Sequence, residues 1–170
     1  TIHDYLIVNT TYSTSDTQYS AYGCLVDKKA VCQGYALAYS YLLRELGIES
    51  SVIYSKDMNH AWNYIKLGKK YYHVDVTFDD PMFTISGKNY DGLGKVSHTY
   101  FLLSDAAIKK APKKHYKRKQ YSGLKKATDK TYATIGTTTM NATVEININN
   151  NVKFTENPYY CISFVAGTAG

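Results

Sequence analysis

Residues 31–81 read VCQGYALAYSYLLRELGIESSVIYSKDMNHAWNYIKLGKKYYHVDVTFDDP, and this stretch decides the fold. Cys32 comes near its start, His60 opens a His-Ala-Trp-Asn segment, and Asp75 lies in an apolar strand pattern near its end. Thiol-based acyl transfer needs a nucleophile, a base that deprotonates it and a carboxylate that orients the base. The order cysteine, histidine, aspartate therefore makes these three side chains candidate catalytic residues.

The first part of the stretch has the apolar spacing of an α-helix. The apolar positions are Val31, Tyr35, Ala38, Tyr39, Leu42, Leu43 and Leu46. Gly47 follows them as a natural C-terminal stop. Cys32 would then lie in the first turn, where unpaired backbone N–H groups and the helix dipole favour a thiolate.

Three β-strands are predicted after this helix. An apolar strand covers residues 51–54, and two segments with alternating side chains cover residues 60–66 and 71–76. The short joint between the last two is typical of a hairpin centred on Gly68 and Lys69. The sequence therefore predicts a helix followed by an antiparallel sheet.

The register of the hairpin determines whether His60 and Asp75 share a face of the sheet. A turn with this centre pairs Lys66 with Tyr71, and it places Trp62 opposite Asp75. His60 is two residues from Trp62 and therefore lies on the same face. A slip of one residue would separate the base from the carboxylate, so the predicted register is the one that the chemistry requires.

The motifs VCQGYA, HAWN and YYHVDVTFDDP, in this order, resemble the transglutaminase-like superfamily of cysteine acyl-transfer domains in its small bacterial form. The resemblance is closest over residues 21–81. It implies that Cys32 is the nucleophile, His60 the base and Asp75 the orienting acid. It also implies an α+β fold with a transglutaminase-like, papain-like core, in which the cysteine-bearing helix packs on an antiparallel β-sheet.

Further residues are candidates for the oxyanion site or for substrate contacts. The backbone N–H of Cys32 is one expected oxyanion donor, and Tyr22 or Gln33 is a candidate for the second. Papain-type enzymes use a glutamine shortly upstream of the cysteine, and none lies close upstream here. Trp62 is expected to shield the site, to stack on substrate or to pack in the core.

The other histidines are the competitors of His60. His73 shares its predicted face of the sheet, although it would lie farther along the strand than the candidate carboxylate. His3 is predicted to lie at the surface, and His98 and His115 are predicted to be structural or exposed because neither has a partner pattern. His60 is therefore the predicted base.

The length and composition indicate one folded domain. The chain has 170 residues, of which 44% are hydrophobic and 20% charged, as is usual for a globular protein. Because the composition shifts towards Thr and Asn, residues 1–136 are predicted to form the transglutaminase-like domain. Residues 137–170 are predicted to be a C-terminal β-strand extension or the start of a further β module.

The 18 tyrosines suggest either a binding surface or half-buried strand residues.

The net charge of +6 is unevenly placed. Residues 109–130 contain ten basic residues and one acid, which gives this segment a charge of +9 and the remainder −3. Such a segment is typical of a solvated face or of contact with an anionic wall polymer, a membrane surface or nucleic acid. No nucleic-acid motif accompanies it, so nucleic acid is not an expected partner.

The three cysteines are Cys24, Cys32 and Cys161, and none forms a C-x-x-C pair. Neither a metal nor a cofactor is expected from this pattern. A Cys24–Cys161 disulfide and two free thiols are the alternatives. Asp79 and Asp80 are predicted to form a turn rather than a cation site.

The remaining predictions concern location and the flanking segments. The chain has no long apolar run that would span a membrane. Because it starts without methionine or a leader, we expect a trimmed piece of an exported precursor, located outside the cell or at its surface.

The predicted flanking segments are a helix at 1–8, loops at 9–21 and 82–94, a strand at 99–103 and a helix capped by Ser104.

Two hypotheses for the function follow. The first is a secreted bacterial cysteine enzyme that attacks peptide or glutamine amide bonds through a thioester, with hydrolysis favoured over crosslinking. Its substrate would be a peptide or a protein. The alternative is a non-catalytic module on the same fold that binds a cell surface or wall polymer.

Overall fold

The computed structural model of the protein describes residues 1–14, 18–85, 88–91, 95–116, 123–132 and 139–141. The elements of this part of the chain are, in order, α1 (Ile2–Asn9), β1 (Thr11–Tyr12), α2 (Ala21–Leu25), β2 (Lys29–Ala30), α3 (Cys32–Glu45), β3 (Ser50–Ser55), β4 (His60–Leu67), β5 (Lys70–Val74), α4 (Val76–Asp79), β6 (Met82–Ile85), β7 (Lys88–Asp91), β8 (Lys95–Ser97), α5 (Asp105–Ile108) and β9 (Thr139–Asn141). The fold is α+β, as the sequence predicts.

Helix α3 begins at the candidate nucleophile, Cys32. Val31 is its extended N-cap residue, and no side chain caps this end of the helix. Beyond the other end, Gly47 has a φ of 72°, in the left-handed region that glycine adopts at low cost. The predicted helix is therefore confirmed, including the place of the cysteine in its first turn.

Strands β3, β4 and β5 form an antiparallel sheet with β4 in the centre. Lys66 pairs with Tyr71 and Asn63 with Val74, which confirms the predicted hairpin register. Gly68 in the turn has a φ of 59°, which favours glycine at this position. The register places the candidate base on β4 and the end of β5 on compatible faces of the sheet.

The apolar face of α3 packs on this sheet. The main core cluster joins Tyr35 and Tyr39 of the helix to Ile65, Tyr72 and Val74 of the strands. None of these side chains is more than 3% exposed. Because burial of an apolar side chain of this size contributes about 1.5–3 kcal/mol, the packing fixes the start of α3 against β4.

Three predictions for the surrounding segments are wrong. Residues 9–21 are not a plain loop, because they contain β1, which runs parallel to β2, and the first residue of α2. Residues 82–94 contain the β6–β7 hairpin. Residues 99–103 form turns and bends, with only a single bridge between His73 and Leu103. Elements this short have too few residues for a periodic pattern to reveal them.

Two flanking helices are confirmed. Helix α1 follows a capping box at Thr1, and Ser104 caps α5 by accepting a hydrogen bond from the N–H of Ala107 at 3.2 Å. No helix in the described part of the chain is long and apolar enough to cross a membrane.

The C-terminal predictions are largely untested. Cys161 and the predicted strands after residue 141 lie outside the described residues, so the Cys24–Cys161 disulfide stays a prediction. Strand β9 pairs with β8 in an antiparallel ladder. The boundary between residues 136 and 137 also stays a prediction.

Candidate active site

The thiol of Cys32 lies at the N-terminal end of α3 and is partly exposed. Burial opposes ionisation of this thiol. A hydrogen bond with His60 and backbone hydrogen bonds from Ala61 and Gln33 outweigh that penalty and lower the pKa of Cys32. The first residue of a helix also has no acceptor within the helix for its own N–H. The position therefore favours a thiolate.

His60 is the first residue of β4 and connects the thiol to a carboxylate. Its Nε2 lies 2.6 Å from Oδ2 of Asp75, which leaves Nδ1 for the hydrogen bond with Cys32. Burial lowers the pKa of His60, but the charge of Asp75, the hydrogen bond to it and the interaction with Cys32 raise it to about 9. The two shifts have opposite signs, and both favour the ion pair of a thiolate with an imidazolium.

Aromatic rings fix the plane of the His60 imidazole. Phe78 stacks on it with ring centroids 4.0 Å apart and an interplanar angle of 10°, and Trp62 is stacked at 5.9 Å. Because both neighbours are nearly parallel to the imidazole, the ring is held with one nitrogen towards the thiol and the other towards the carboxylate.

Asp75 comes directly after β5 and is the N-cap residue of α4. Its Oδ1 accepts the N–H of Phe78 at 3.0 Å, while Oδ2 faces His60. Burial opposes ionisation of Asp75, but the charge of His60 and hydrogen bonds from His115 and His60 lower its pKa to about 2. The side chain is therefore a buried carboxylate with both oxygens bound.

His115 is a further residue of the site, which no pattern in the sequence indicates. This residue is buried, not exposed, and its Nε2 lies 2.7 Å from the same Oδ2 of Asp75. Its Nδ1 lies 3.0 Å from the carbonyl oxygen of Lys113. The contact with Asp75 spans 40 residues of sequence and starts from a lysine-rich segment, so no local pattern indicated it. We call Cys32, His60, Asp75 and His115 the site cluster.

The three residues predicted to form the oxyanion site or to contact substrate have different surroundings in the structure. Gln33 donates a hydrogen bond from its side-chain amide to the carbonyl of Tyr19 at 3.2 Å, and its backbone N–H is hydrogen-bonded to Cys32. Tyr22 is 63% exposed. Trp62 is 1% exposed and stacks on the candidate base, a place suited to shielding the site rather than to stacking on substrate. The oxyanion roles of Tyr22 and Gln33 stay predictions.

His73 has other partners than the candidate thiol. Its Nδ1 accepts the indole N–H of Trp62 at 3.0 Å, and its Nε2 lies 2.8 Å from Asp105. The hydrogen bonds with Cys32 and Asp75 are made by His60 instead. The geometry therefore supports His60 over its competitor.

Tyr12 is a second neighbour that the sequence did not indicate. Partial burial raises the pKa of Tyr12, and the nearby charges of Cys32 and Tyr19 raise it further. Tyr12 therefore lies close to the thiol, and Tyr19 lies close to Tyr12. The sequence predicts only a loop at residues 9–21 and therefore gives no position for Tyr12. In the structure this segment forms β1 and then passes the start of α3.

Gly34 lets that segment approach the cysteine helix. A Cβ at this position would lie 2.4 Å from the carbonyl oxygen of Gln18 and 3.1 Å from that of Ser20. The same Gln18 carbonyl accepts the N–H of Val31 at 3.0 Å. Because Gly34 has no side chain, residues 18 and 20 can pack against the start of the helix, next to Cys32.

A second group of buried histidines and carboxylates lies elsewhere in the protein. His3 Nδ1 and His98 Nε2 contact Oδ1 of Asp4 at 2.9 and 2.8 Å, and His3 Nε2 lies 3.0 Å from Asp79. The surface position predicted for His3 is wrong, because its side chain is fully buried. Asp79, predicted to lie in a turn, is the last residue of the one-turn helix α4 and is also fully buried. We call His3, Asp4, Asp79 and His98 the distal cluster.

Both clusters could in principle offer ligands to a metal ion. In the described residues, one potential ligand atom each from His60, Asp75 and His115 lies within 4.8 Å of the others, and the same holds for the three residues His3, Asp4 and His98. The nitrogen–oxygen contacts of 2.6–2.9 Å are those of hydrogen bonds with the proton in place. We therefore assign both groups as hydrogen-bonded clusters.

Comparison with known proteins finds a family match over part of the chain. Residues 1–76 match the family model of the transglutaminase-like superfamily. The match includes Cys32, His60 and Asp75 and confirms the resemblance predicted from the motifs. This segment of the chain is transglutaminase-like.

Two solved structures are similar to part of the chain. One is a crystal structure of a TGase, with 21% identity and a TM-score of 0.41 over 44% of this chain and 24% of that chain. The other is a "putative cysteine protease" from Cytophaga hutchinsonii, with 25% identity and a TM-score of 0.38 over 45% of this chain and 29% of that chain. The aligned part of this chain thus spans less than a third of either protein. No curated protein matches the chain.

Proposed function

We propose that the protein is a cysteine enzyme that attacks peptide or glutamine amide bonds through a thioester on Cys32. One observation carries the proposal: a partly exposed thiol at a helix N-terminus is hydrogen-bonded to a histidine whose other nitrogen binds a buried carboxylate. In this assignment Cys32 is the nucleophile, His60 the acid and base, and Asp75 the residue that orients His60.

The first half of the reaction would form the thioester. The Cys32 thiolate attacks the carbonyl carbon of the amide, and the carbon–oxygen π electrons move to the oxygen. When this oxyanion collapses, the carbon–nitrogen bond breaks and the His60 imidazolium gives its Nδ1 proton to the departing amine or ammonia. The acyl group is left on sulfur and His60 is neutral. The N–H of Cys32 is the expected donor to the oxyanion.

The second half would release the acyl group. Neutral His60 takes a proton from water, the resulting hydroxide attacks the thioester carbon, and the carbon–sulfur bond breaks to regenerate the thiolate. With an amine in place of water the product is a crosslink. The proposal favours hydrolysis, and ammonia release measured with and without an added primary amine tests that preference. Only the crosslinking reaction incorporates the amine.

The reactivity of Cys32 tests the enzyme proposal without a known substrate. The experiment measures the iodoacetamide labelling rate of each cysteine from about pH 5 to 9, with the peptides separated by mass spectrometry. Cys24 is a matched control in the same chain, because burial raises its pKa to about 11. Cys32 is expected to react readily below pH 7, where a free thiol with a pKa of about 8.5 does not.

The His60→Ala variant completes this test. Loss of the imidazolium is expected to remove the labelling of Cys32 at low pH while the protein stays folded. If wild-type Cys32 reacts no faster than a thiol in an unfolded chain, the enzyme proposal fails and the non-catalytic surface or wall-polymer module takes its place.

Substrate and location are also part of the proposal. We expect an exported protein that acts on peptides or proteins outside the cell. A peptide-library screen that compares wild type with Cys32→Ala identifies the amide bonds that are attacked, because only cleavage that depends on Cys32 counts. Fractionation of the producing cells tests the location.

A further inference from the structure

The carboxylate of Asp75 serves two histidines through one oxygen atom. His60 contacts Oδ2 at 2.6 Å and His115 contacts it at 2.7 Å, while the N–H of Phe78 binds Oδ1 at 3.0 Å. Three donors from three parts of the chain therefore set the position of this carboxylate. Only one of them, His60, also reaches the thiol.

The partners of His115 determine how many protons it holds. Its Nδ1 lies 3.0 Å from the carbonyl oxygen of Lys113, which can only accept a hydrogen bond, so Nδ1 carries a proton. Its Nε2 faces Asp75, which is ionised because its pKa is lowered to about 2. An ionised carboxylate also only accepts, so Nε2 carries a proton as well. An imidazole that donates a hydrogen bond from each nitrogen is an imidazolium.

The surroundings of His115 hold this ring in place. It packs edge-on against Trp62 at 4.7 Å and against Phe78 at 5.2 Å between ring centroids. Tyr100 is 5.5 Å away, and its hydroxyl accepts the N–H of Lys113, the residue whose carbonyl binds His115. The ring is therefore buried between aromatic groups, with its two N–H groups directed to fixed acceptors.

We propose that His115 is a positioning residue of the candidate active site, which holds Asp75 by a donated hydrogen bond and supplies a positive charge that balances its carboxylate. This inference rests on the proposed function, since it concerns the same site. It goes beyond the Cys32, His60 and Asp75 assignment, because neither the motifs nor the family match over residues 1–76 reaches residue 115.

The charge of His115 affects both partners of the thiol pair. The ionisable groups that face it are Asp75, His60 and Tyr100, and the ammonium of Lys113 lies 4.6 Å from the centroid of Phe78, on the outer side of this group. The His115 and His60 ring centroids are 5.6 Å apart. A cation at this distance opposes a second positive charge on His60 and favours a negative charge on the cysteine.

The sign of the effect follows from this arrangement. Without the cation, the Cys32 thiolate loses a favourable charge, so it forms only at higher pH. The carboxylate of Asp75 then has a hydrogen bond with His60 but none with residue 115, so its interaction with the His60 proton becomes stronger. We call the pH range in which Cys32 reactivity rises from its low-pH minimum the acid limb of the reactivity profile. This limb is expected to move up by about one pH unit, because the thiolate fraction at a given acidic pH falls about tenfold.

The variant His115→Gln distinguishes the effect of the His115 charge from the effect of its hydrogen bond to Asp75. His115→Gln keeps an N–H donor within reach of Asp75 but has no charge, whereas His115→Phe removes both. The test records the pH profile of Cys32 alkylation for wild type, both variants and His98→Gln. His98 is the matched control, because it is a buried histidine whose Nε2 binds an aspartate, Asp4, outside the site.

The expected result is an upward shift of the acid limb in both variants at position 115 and no shift in His98→Gln. A merely structural role would lower stability or the maximal rate without moving the limb. If the limb of His115→Gln coincides with that of wild type, the proposal is overturned. If wild-type Cys32 has no reactivity at low pH at all, it is the proposed function that fails instead.

A measurement on the wild-type protein keeps the test valid even if a variant does not fold. The ¹⁵N chemical shifts of the His115 ring report whether one or both nitrogens are protonated. Two protonated nitrogens are expected at about pH 7. A ring with one bare nitrogen at that pH would contradict the proposed cation.

Discussion

Two regions of this protein place a single carboxylate oxygen between two buried histidines. In the site cluster the oxygen belongs to Asp75, and the contacts are 2.6 and 2.7 Å. In the distal cluster it belongs to Asp4, and the contacts are 2.9 and 2.8 Å. The same chemistry therefore occurs twice, so a carboxylate bound to imidazoles does not by itself define an active site.

The difference lies in what the histidines face on their other side. In the site cluster His60 turns its second nitrogen to a partly exposed thiol at a helix start. In the distal cluster His3 turns its second nitrogen to Asp79, whose two oxygens also accept the N–H of Tyr100. That cluster joins α1 to α4 and is closed on all sides. One arrangement is suited to reaction and the other to holding the fold together.

The largest expected effect comes from the carboxylate of the site cluster. Asp75→Asn removes the charge that holds the His60 proton, so the thiolate population at about pH 6 should fall. We expect a loss of more than about tenfold in the alkylation rate of Cys32 at that pH, measured by labelling kinetics. An unchanged rate in a folded variant would mean that Asp75 does not tune the pair.

The same substitution in the distal cluster should affect stability instead. Asp4→Asn leaves the buried His3 and His98 without their shared acceptor charge, so the free energy of unfolding should fall by about 3 kcal/mol in urea denaturation. The Cys32 labelling rate per folded molecule should stay within about twofold of wild type. A loss of reactivity as large as that of Asp75→Asn would erase the distinction between the clusters.

The pH dependence of stability should contain contributions from both clusters, and the variant His3→Gln isolates that of the distal cluster. Burial lowers the pKa of His3, but hydrogen bonds and charge from Asp4 and Asp79 raise it from 6.5 to about 9. A raised pKa stabilises the folded state fully below pH 6.5, and the contribution disappears as the pH rises through 9. We expect about 3 kcal/mol from this group in that window.

Both clusters should contribute on the acid side, because in the distal cluster burial opposes ionisation of Asp4 but His3 and His98 lower its pKa. The pKa of Asp75 is lowered from 3.8 to about 2, so its contribution is present above pH 3.8 and is lost as the pH falls through 2. Thermal unfolding from acid to alkaline pH tests both limbs. The His3→Gln variant should lose part of the alkaline dependence, while His60, whose pKa is also raised to about 9, retains the rest. If its alkaline limb matches wild type, another group is responsible.

The smallest expected effect comes from the segment that crosses the site helix. Gly34→Ala would press a methyl group into the carbonyl of Gln18, at 2.4 Å, and should cost about 2 kcal/mol of unfolding free energy. Because residues 18–20 must move, Cys32 labelling should also slow. The control is Gly47→Ala, which has open space but a φ of 72°. It should cost about 1 kcal/mol and leave the labelling rate unchanged.

The sequence predicts the helix, the hairpin and its register because each buries one face along consecutive residues, which leaves a periodic pattern. Those elements were sufficient to locate Cys32, His60 and Asp75. The cysteine helix is recognisable even without a capping side chain, since its apolar stripe covers four turns and ends before Gly47.

The partners that come from far along the chain were not predictable in this way. His115 reaches Asp75 across 40 residues and His98 reaches Asp4 across 94. A single hydrogen bond of this kind involves one residue at each end and produces no repeat. His3 was assigned to the surface for the same reason, although the structure buries it completely. Only the packing of α1 and α4 brings these side chains together.

The most direct measurement of the central claim is the ionisation of Cys32 itself, followed by the ultraviolet absorbance of the thiolate across the pH range, as wild type minus Cys32→Ala. The structure predicts a transition below the usual thiol pKa of about 8.5, which His60→Ala shifts upward. A transition at or above that value in the wild-type protein would contradict the account.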